Sequence, residues 1–269
     1  MTTGKPEDRR DEAFWRDYLT HPDTFMGVGR RFLSILPSEP RCQLCAAPFT
    51  GVGGQAMRII GKRPAVLNPN RCNSCEKTLL KHHGGAEVET SMLFADIRGS
   101  TAIAERVSAG EFRALLDRFY DVASKAVFAN GGIVDKFVGD ELVANFPPML
   151  GDNHTARAVA TAHELLEATG HADPAGPWAP VGAGVHTGQV WFGVVGEGAH
   201  LEITTVGDPV NVTARLAAAA EAGEILVSAD AAAAAGLDPT LETRSLELKG
   251  KEHPTQVVSL RVGQPAKVS

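Results

Sequence analysis

Long hydrophobic runs are missing from this 269-residue sequence, and no block of like charge stands out. No stretch approaches the roughly 18 uninterrupted apolar residues that a membrane-spanning helix needs. The amino terminus, MTTGKPEDRRDEAF, lacks the apolar core of a secretory signal. A formal net charge of -6 without a basic block argues against a nucleic-acid polymer as the partner. Together these absences predict a cytoplasmic protein with no integral membrane segment.

Cysteine is rare, and all four cysteines fall in two Cys-x-x-Cys pairs, Cys42 with Cys45 and Cys72 with Cys75. Because nothing in the sequence indicates export, disulfide bonds are the weaker interpretation. Two such pairs are typical of a tetrahedral thiolate site, most simply structural zinc, with an iron centre or a redox dithiol as alternatives. Residues 41–85, rich in Gly, Pro and Asn, therefore predict a small, loop-rich, zinc-ribbon-like module with four cysteine ligands, which needs a crosslink to fold. His82 and His83 are interpreted as linker residues, because four thiolates already complete the metal shell.

Residues 1–40 predict a helical arm in front of this module. Within the segment TFMGVGRRFLSIL, apolar and small residues recur on one helical face: Phe25, Met26, Gly29, Phe32, Leu33 and Leu36. Such a face packs on the protein core or on a second copy of the chain, and a membrane-surface role is a third alternative.

Strand-like and helix-like segments alternate over residues 86–263, which predicts an α/β domain, followed by a tail at 264–269. GIVDKFV and ELVANF predict a hairpin that turns at Gly139 and Asp140. PVGAGVH and QVWFGVV predict two strands with a turn at Thr187-Gly188. The alanine run at 231–235 predicts a packed helix.

The segment MLFADIRGST ends a buried strand on a bare carboxylate, Asp96, which is costly unless something pairs with it. If this strand and the hairpin that carries Asp140 are neighbours in one sheet, both carboxylates project at the same edge. Mg²⁺ prefers one or two carboxylates, and a pair of ions can hold the attacking and leaving oxygens of a phosphoryl-type displacement. The alternative is that Asp96 caps the next helix and Asp140 only serves the turn.

Five segments, in order, resemble the class III nucleotidyl cyclases: FADIRGST, GGIVDKFVGDELVANF, VGAGVHTGQVWFGVVG, TTVGDPVNVTARL and LELKGK. The likeness runs from about Val88 to Val262. It implies a ferredoxin-like α/β (α+β) catalytic domain and an adenylate cyclase, which converts ATP to 3',5'-cyclic AMP and pyrophosphate. A guanylate cyclase and a catalytically silent nucleotide-binding regulator are the alternatives.

The same resemblance implies the metal ligands and the assembly. Asp96 and Asp140, with the carbonyl of Ile97, would bind two Mg²⁺ or Mn²⁺ ions. In this family the metal carboxylates come from one subunit, and the base-reading and transition-state residues come from its partner. Because this chain has both sets, we expect a head-to-tail homodimer with two composite sites.

The resemblance also implies which residues bind the nucleotide. Lys136 and Thr204 correspond to the pair that reads the base: an ammonium donates to adenine N1, and a hydroxyl accepts from the exocyclic amine. Asn211 would orient the ribose, Arg215 would stabilise charge on the α-phosphate, and Lys249 would hold the terminal phosphates. Taken singly, each of these last three also fits a structural role as a helix cap, a surface ion-pair partner or a solvated turn lysine.

Two positions depart from the family's pattern. Ser100 stands where many relatives have Phe, beside the metal motif, and Thr204 stands where many have Asp. A hydroxyl accepts a hydrogen bond less strongly than a carboxylate, so base selection is weakened. Adenine still remains the expected base, because GTP-using members of the family usually carry an acidic residue at the position of Lys136. His186 is interpreted as structural, because the mechanism needs no histidine base.

Overall fold

The structure, a computed structural model of the chain, describes residues 6–21, 30, 32–33, 40–66, 68–196, 201–248 and 254–262. The helices with described bounds are α1 (Pro6–Thr20), α2 (Gly51–Ile59), α3 (Asn73–Lys81), α4 (Ser100–Arg106), α5 (Ala109–Ala129), α6 (His154–Ala168), α7 (Asp208–Ala219) and α8 (Ala229–Ala234). The strands are β1 (Gly85–Ile97), β2 (Ile133–Val138), β3 (Glu141–Phe146), β4 (Val181–Val195), β5 (Glu202–Val206), β6 (Glu224–Ser228), β7 (Thr243–Leu246) and β8 (Thr255–Arg261). Among these helices, none combines the length and the apolar composition that crossing a membrane requires.

The chain divides into two compact units. The first unit consists of Met1–Glu89, Pro147–Asp152 and Gln189–Val206, and the second unit consists of Thr90–Phe146, Asn153–Gly188 and Gly207–Ser269. The first unit contains the four cysteines, and the second contains the helices α5, α6 and α7.

The second unit is built on a mixed sheet with the strand order β2-β3-β1-β4-β6-β8-β7. Strand β3 pairs antiparallel with both β1 and β2, β4 pairs parallel with β6, and β8 pairs antiparallel with β6 and β7. The predicted β2–β3 hairpin is confirmed, and its turn contains Gly139 at φ +62°. That left-handed conformation is open to glycine at little cost. The sheet and its helices give the mixed α/β fold that the sequence predicted.

Helices cover both faces of this sheet. Ile225 and Val227 of β6 belong to the core that α5 and α6 form, whereas the intervening Leu226 packs with Val212 and Leu216 of α7. Because successive strand residues point to opposite faces, α7 lies on the other side of the sheet from α5 and α6. The larger core is dense in fully buried side chains such as Phe119, Phe146, Leu165 and Leu166.

The predicted turn at Thr187-Gly188 is wrong, because β4 runs without a break from Val181 to Val195. A Cβ atom on Gly188 would lie 2.8 Å from Cγ of Pro209, at the start of α7. Glycine stands there because another part of the chain approaches closely, and not because the strand reverses. Within the first unit, the end of β4 pairs antiparallel with β5.

The helical arm is confirmed in part. Helix α1 covers Pro6–Thr20, and Phe32 and Leu33 are helical. The rest of the predicted apolar face lies outside the described residues: Phe25, Met26, Gly29 and Leu36. The alanine run is confirmed as helix α8, which Ser228 caps by accepting a hydrogen bond from the backbone N–H of Ala231.

The cysteine segment is more helical than the sequence suggested. Two nine-residue helices, α2 and α3, occupy much of a stretch that composition predicts as loop. Helix α3 starts at a metal-motif residue, because Cys72 is its N-cap and its sulfur accepts from the backbone N–H of Cys75. Ordinary sequence signals for a helix start are oxygen-bearing side chains, so this cap is easily missed.

Candidate active site

The ends of β1 and β3 bring acidic residues to one edge of the sheet in the second unit. Asp96, the residue before the end of β1, lies directly opposite Glu141, the first residue of β3. Directly opposed residues on neighbouring antiparallel strands project from the same face with their Cβ atoms about 5 Å apart. Asp140 precedes Glu141 in the hairpin turn. We call Asp96, Asp140 and Glu141 the carboxylate cluster.

Arg98 contributes a positive charge to the carboxylate cluster. Its guanidinium forms an ion pair with Asp96, and about a quarter of each side chain is exposed. Burial lowers the pKa of Arg98, while the charges of Asp140 and Glu141 raise it. Burial and Asp140 raise the pKa of Glu141, and Arg98 opposes them. The costly strand-end carboxylate therefore has a cationic partner within the chain.

The alternative that Asp96 caps the following helix does not hold. Helix α4 begins at Ser100, and its N-cap is Gly99, which has φ +67° and no side chain to accept a hydrogen bond. Ile97 is the last residue of β1, and its side chain is buried. Carboxylate and carbonyl oxygens at this edge are the donors that Mg²⁺ and Mn²⁺ prefer, so the residues present fit such ions.

Helix α7 carries Asn211 and Arg215 in the same unit. Val212 and Leu216 anchor it against the sheet, which leaves Asn211 exposed and Arg215 half-buried. A four-residue spacing puts Asn211 and Arg215 one above the other on the helix surface. The two side chains are therefore available together to a ligand that approaches this side of the helix.

The three remaining predicted nucleotide residues have different locations. Lys136 lies on β2 opposite Val143, just after the register of β2 and β3 shifts between Val134 and Lys136. Thr204 belongs to the first unit, where it is buried on β5 opposite Gly193. Lys249 lies outside the described residues.

The first unit brings its four cysteines together. Their sulfur atoms all lie within 4.8 Å of one another, and all four residues are buried: Cys42, Cys45, Cys72 and Cys75. Cys45 Sγ lies 3.8 Å from Cys72 Sγ. A tetrahedral site with Zn–S bonds of about 2.3 Å requires sulfur atoms roughly 3.8 Å apart. The donor set therefore fits a zinc-like ion, and we call it the four-cysteine cluster.

Hydrogen-bond donors surround the four-cysteine cluster. The backbone N–H of Cys72 donates to Cys42 Sγ at 3.2 Å, and Lys62 Nζ lies 3.5 Å from Cys45 Sγ. Burial by itself would lower the pKa of Lys62, but the nearby sulfur atoms raise it overall. Mutual hydrogen bonds lower the pKa of Cys45 and raise that of Cys75. Four adjacent thiols resist ionising together, and a bound cation removes that conflict.

Sequence reasoning missed two residues of the carboxylate cluster and its surroundings, Arg98 and Glu141. Both stand next to predicted metal ligands, Arg98 two positions after Asp96 and Glu141 directly after Asp140. A charge that adjoins a predicted ligand is a usable signal. Whether such a charge pairs with the ligand or adds to its negative charge, however, can be decided only when the strand register is known.

Comparison with known families matches residues 85–259 to the adenylate and guanylate cyclase catalytic domain. Among curated proteins, the chain is 31% identical over 180 residues to the uncharacterized protein Rv1319c of Mycobacterium tuberculosis, covering 65% of this chain and 33% of that protein. It is 38% identical over 135 residues to the uncharacterized protein Mb1354c of Mycobacterium bovis, covering 49% of this chain and 23% of that protein. The chain thus spans a third or less of the length of these relatives.

Solved structures give the same result for the fold. The guanylyl cyclase Cya2 superposes with a TM-score of 0.61 at 25% identity, covering 69% of this chain and 98% of that chain. The adenylyl cyclase CyaB from P. aeruginosa superposes with a TM-score of 0.57 at 26% identity, covering 67% of this chain and 97% of that chain. The similar structures thus include cyclases of both base specificities.

Proposed function

Because the chain belongs to the family of adenylate and guanylate cyclase catalytic domains, we propose that it converts ATP to 3',5'-cyclic AMP and pyrophosphate. The observation that carries the proposal is the meeting of Asp96 with Glu141 across β1 and β3, next to Asp140, inside the matched segment. Carboxylates gathered at a sheet edge are the donor set that phosphoryl-type chemistry with divalent ions needs.

The protein's part in this reaction is positioning and charge stabilisation. Asp96, Asp140 and the Ile97 carbonyl would hold divalent ions, which would supply Lewis acidity for ionising the 3'-hydroxyl and for offsetting the charge of the α-phosphate. Asn211 holds the ribose so that its 3'-oxygen faces the α-phosphorus. Arg215 donates to the α-phosphate oxygens as negative charge develops there.

Adenine is the base that Lys136 favours. Its ammonium donates a hydrogen bond, which matches the acceptor at adenine N1 and opposes the N1–H of guanine. Thr204 would accept from the exocyclic amine of adenine, and Lys249 would bind the terminal phosphates. The similarity to the guanylyl cyclase Cya2 favours GTP as the second candidate substrate. Competition between ATP and GTP on one preparation separates the two.

The proposed catalytic form is a head-to-tail homodimer. In such a dimer Asp96 and Asp140 of one subunit face Asn211 and Arg215 of the other, so each of two sites draws on both chains. The presence of both residue sets within the matched segment supports this arrangement.

The four-cysteine cluster is proposed to hold a structural Zn²⁺ ion. Support comes from the sulfur spacing, from the backbone N–H groups that donate to sulfur, and from the cation Lys62 beside a thiolate-rich site. A tetrathiolate zinc centre carries a net charge of -2, which a nearby ammonium partly offsets.

The experiment that tests the proposed function is a cyclase assay of the purified chain with ATP or GTP and Mn²⁺ or Mg²⁺. We expect cyclic AMP and pyrophosphate, with ATP preferred. Mixing Asp96→Ala with Arg215→Ala subunits should restore activity, because one composite site of the mixed dimer is intact. Absence of product with both nucleotides would contradict the proposal, and failure of the mixture to recover activity would contradict the shared sites.

A further inference from the structure

Arg98 lies beside Asp96, a carboxylate that the proposed function assigns to a divalent ion. Its guanidinium is paired with Asp96, and the negative charges of Asp140 and Glu141 also favour its ionised form. A guanidinium and a metal ion stabilise the same ionised form of a carboxylate. Arg98 and a bound ion would therefore compete for Asp96.

A second set of contacts holds the arginine in place. Its Nη1 atom donates to the carbonyl oxygen of Ala218 at 2.9 Å and lies 3.4 Å from that of Ala220. Ala218 lies in the last turn of α7, where carbonyl groups lack helical partners and favour a cation. The backbone N–H of Arg98 donates to the carbonyl oxygen of Pro180 at 2.6 Å. These contacts hold Arg98 at the carboxylate cluster in addition to its ion pair with Asp96.

We propose that Arg98 is the resident counter-charge of the carboxylate cluster: it neutralises Asp96 while no divalent ion is bound, and it releases the carboxylate when an ion binds. The inference rests on the proposed function, because it takes Asp96 and Asp140 to be the ion's ligands. Arg98 acts through Asp96 and is therefore a positioning residue. Its charge offsets that of Asp96 when no ion is bound, and it weakens metal binding by the same interaction.

The test measures Mn²⁺ binding to the full chain without nucleotide, by the electron paramagnetic resonance signal of free Mn²⁺. Arg98→Gln should bind Mn²⁺ about tenfold more tightly, because one positive charge leaves the site. Arg98→Lys keeps that charge and should bind Mn²⁺ within about twofold of the unsubstituted protein. Arg113→Gln is the matched control, because it removes an arginine whose side chain is 81% exposed and which pairs with Asp117 on α5.

Thermal unfolding provides a second readout. Without metal, Arg98→Gln should unfold at a lower temperature than the unsubstituted protein. Added Mn²⁺ should raise the unfolding temperature of Arg98→Gln by more than it raises that of the unsubstituted protein. Unchanged or weaker Mn²⁺ binding in Arg98→Gln would overturn the inference. If that variant does not fold, the Arg98 Nε–H signal in ¹⁵N spectra of the unsubstituted protein decides. It should shift on addition of Mg²⁺, and an unmoved signal overturns the inference as well.

Asp96→Asn separates this inference from the proposed function. If Asp96→Asn binds Mn²⁺ as tightly as the unsubstituted protein, the ion does not use Asp96, and both proposals fail. If Asp96→Asn loses binding while Arg98→Gln leaves the affinity unchanged, only the role of Arg98 fails. If cyclase activity is absent but both variants change Mn²⁺ binding in the expected directions, the proposed role of Arg98 is supported and the proposed cyclase activity is contradicted.

Discussion

Asp96 and Glu141 stand directly opposite each other on the neighbouring strands β1 and β3, at the edge where the hairpin turn presents Asp140. Strand pairing therefore fixes Asp96 and Glu141, and the short turn between β2 and β3 places Asp140 next to them. Burial and the charge of Asp140 raise the pKa of Glu141, while the charge of Arg98 lowers it.

Asp140→Asn should lower cyclase activity by about 100-fold or more, because an amide oxygen is a much weaker ligand for a divalent ion than a carboxylate. The fold should persist, since the side chain sits in a hairpin turn outside the hydrophobic core. The measurement is product formation with saturating ATP and Mn²⁺, alongside a thermal unfolding scan. Asp117→Asn, at an exposed position on α5, is the matched control and should retain activity. Near-normal activity in Asp140→Asn would rule out Asp140 as an essential ligand.

Much of this arrangement could be predicted from sequence, because local patterns determine it. The hairpin around Gly139 and the helix over the alanine run follow from turn chemistry and periodicity. The unbroken course of β4 could not be predicted, because the contact that requires Gly188 is with Pro209, which lies further along the chain. The same holds for the contact between Arg98 and Ala218, which exists only when α7 is packed beside the end of β1. Sequence patterns predict single turns and helices, whereas contacts between distant parts of the chain are seen only in the folded structure.

Lys136→Glu should shift base preference toward GTP. A carboxylate accepts a hydrogen bond from the N1–H of guanine and repels the acceptor at adenine N1. Lys136 is only partly buried on β2, so the variant should fold. The measurement is the ratio of kcat/KM for ATP to that for GTP, which should fall by about tenfold or more. Lys125→Glu, on the exposed surface of α5, is a control for the charge change. An unchanged ratio would mean that Lys136 does not read the base.

Cys72→Ser should remove the metal from the four-cysteine cluster while it keeps a competent helix cap. Serine is a favoured N-cap residue, so α3 retains its start signal and only the thiolate ligand is lost. We expect zinc content, measured by plasma mass spectrometry, to fall from about one ion per chain to nearly none. The first unit should then become sensitive to proteases, because metal binding and folding are coupled.

The control for this variant is Ser74→Ala, an exposed position in the first turn of the same helix, which should keep its metal. Loss of zinc from both variants would indicate general unfolding. Retention of zinc by Cys72→Ser would show that the cluster binds the metal without the Cys72 thiolate.

Gly184→Ala should destabilise the second unit and lower activity together. A Cβ atom at this position of β4 would lie 2.4 Å from the backbone nitrogen of Ala217 and 2.8 Å from the backbone oxygen of Thr213, both on α7. The helix that carries Asn211 and Arg215 would have to move away from the sheet. Overpacking of this kind typically costs about 1–3 kcal/mol in the free energy of unfolding. Gly110→Ala is the control, because its new Cβ would meet its nearest neighbour only at 4.0 Å.

Stability should fall in acid partly through Glu224, a fully buried carboxylate paired with Arg244 at 2.8 Å. Burial would raise its pKa, but the backbone N–H of Glu221, the hydroxyl of Ser259 and the nearby arginines lower it overall. A lowered folded-state pKa means that the stabilisation is present above the unfolded-state pKa of about 4.3 and disappears as pH falls through the folded-state value. Glu224→Gln should therefore lower the free energy of unfolding by about 1–3 kcal/mol at pH 7. The difference from the unsubstituted protein should shrink below about pH 4 in denaturant titrations. Glu105→Gln, at an exposed position on α4, should show no such pH-dependent difference, and a constant deficit for Glu224→Gln at every pH would exclude the ionised carboxylate as its cause.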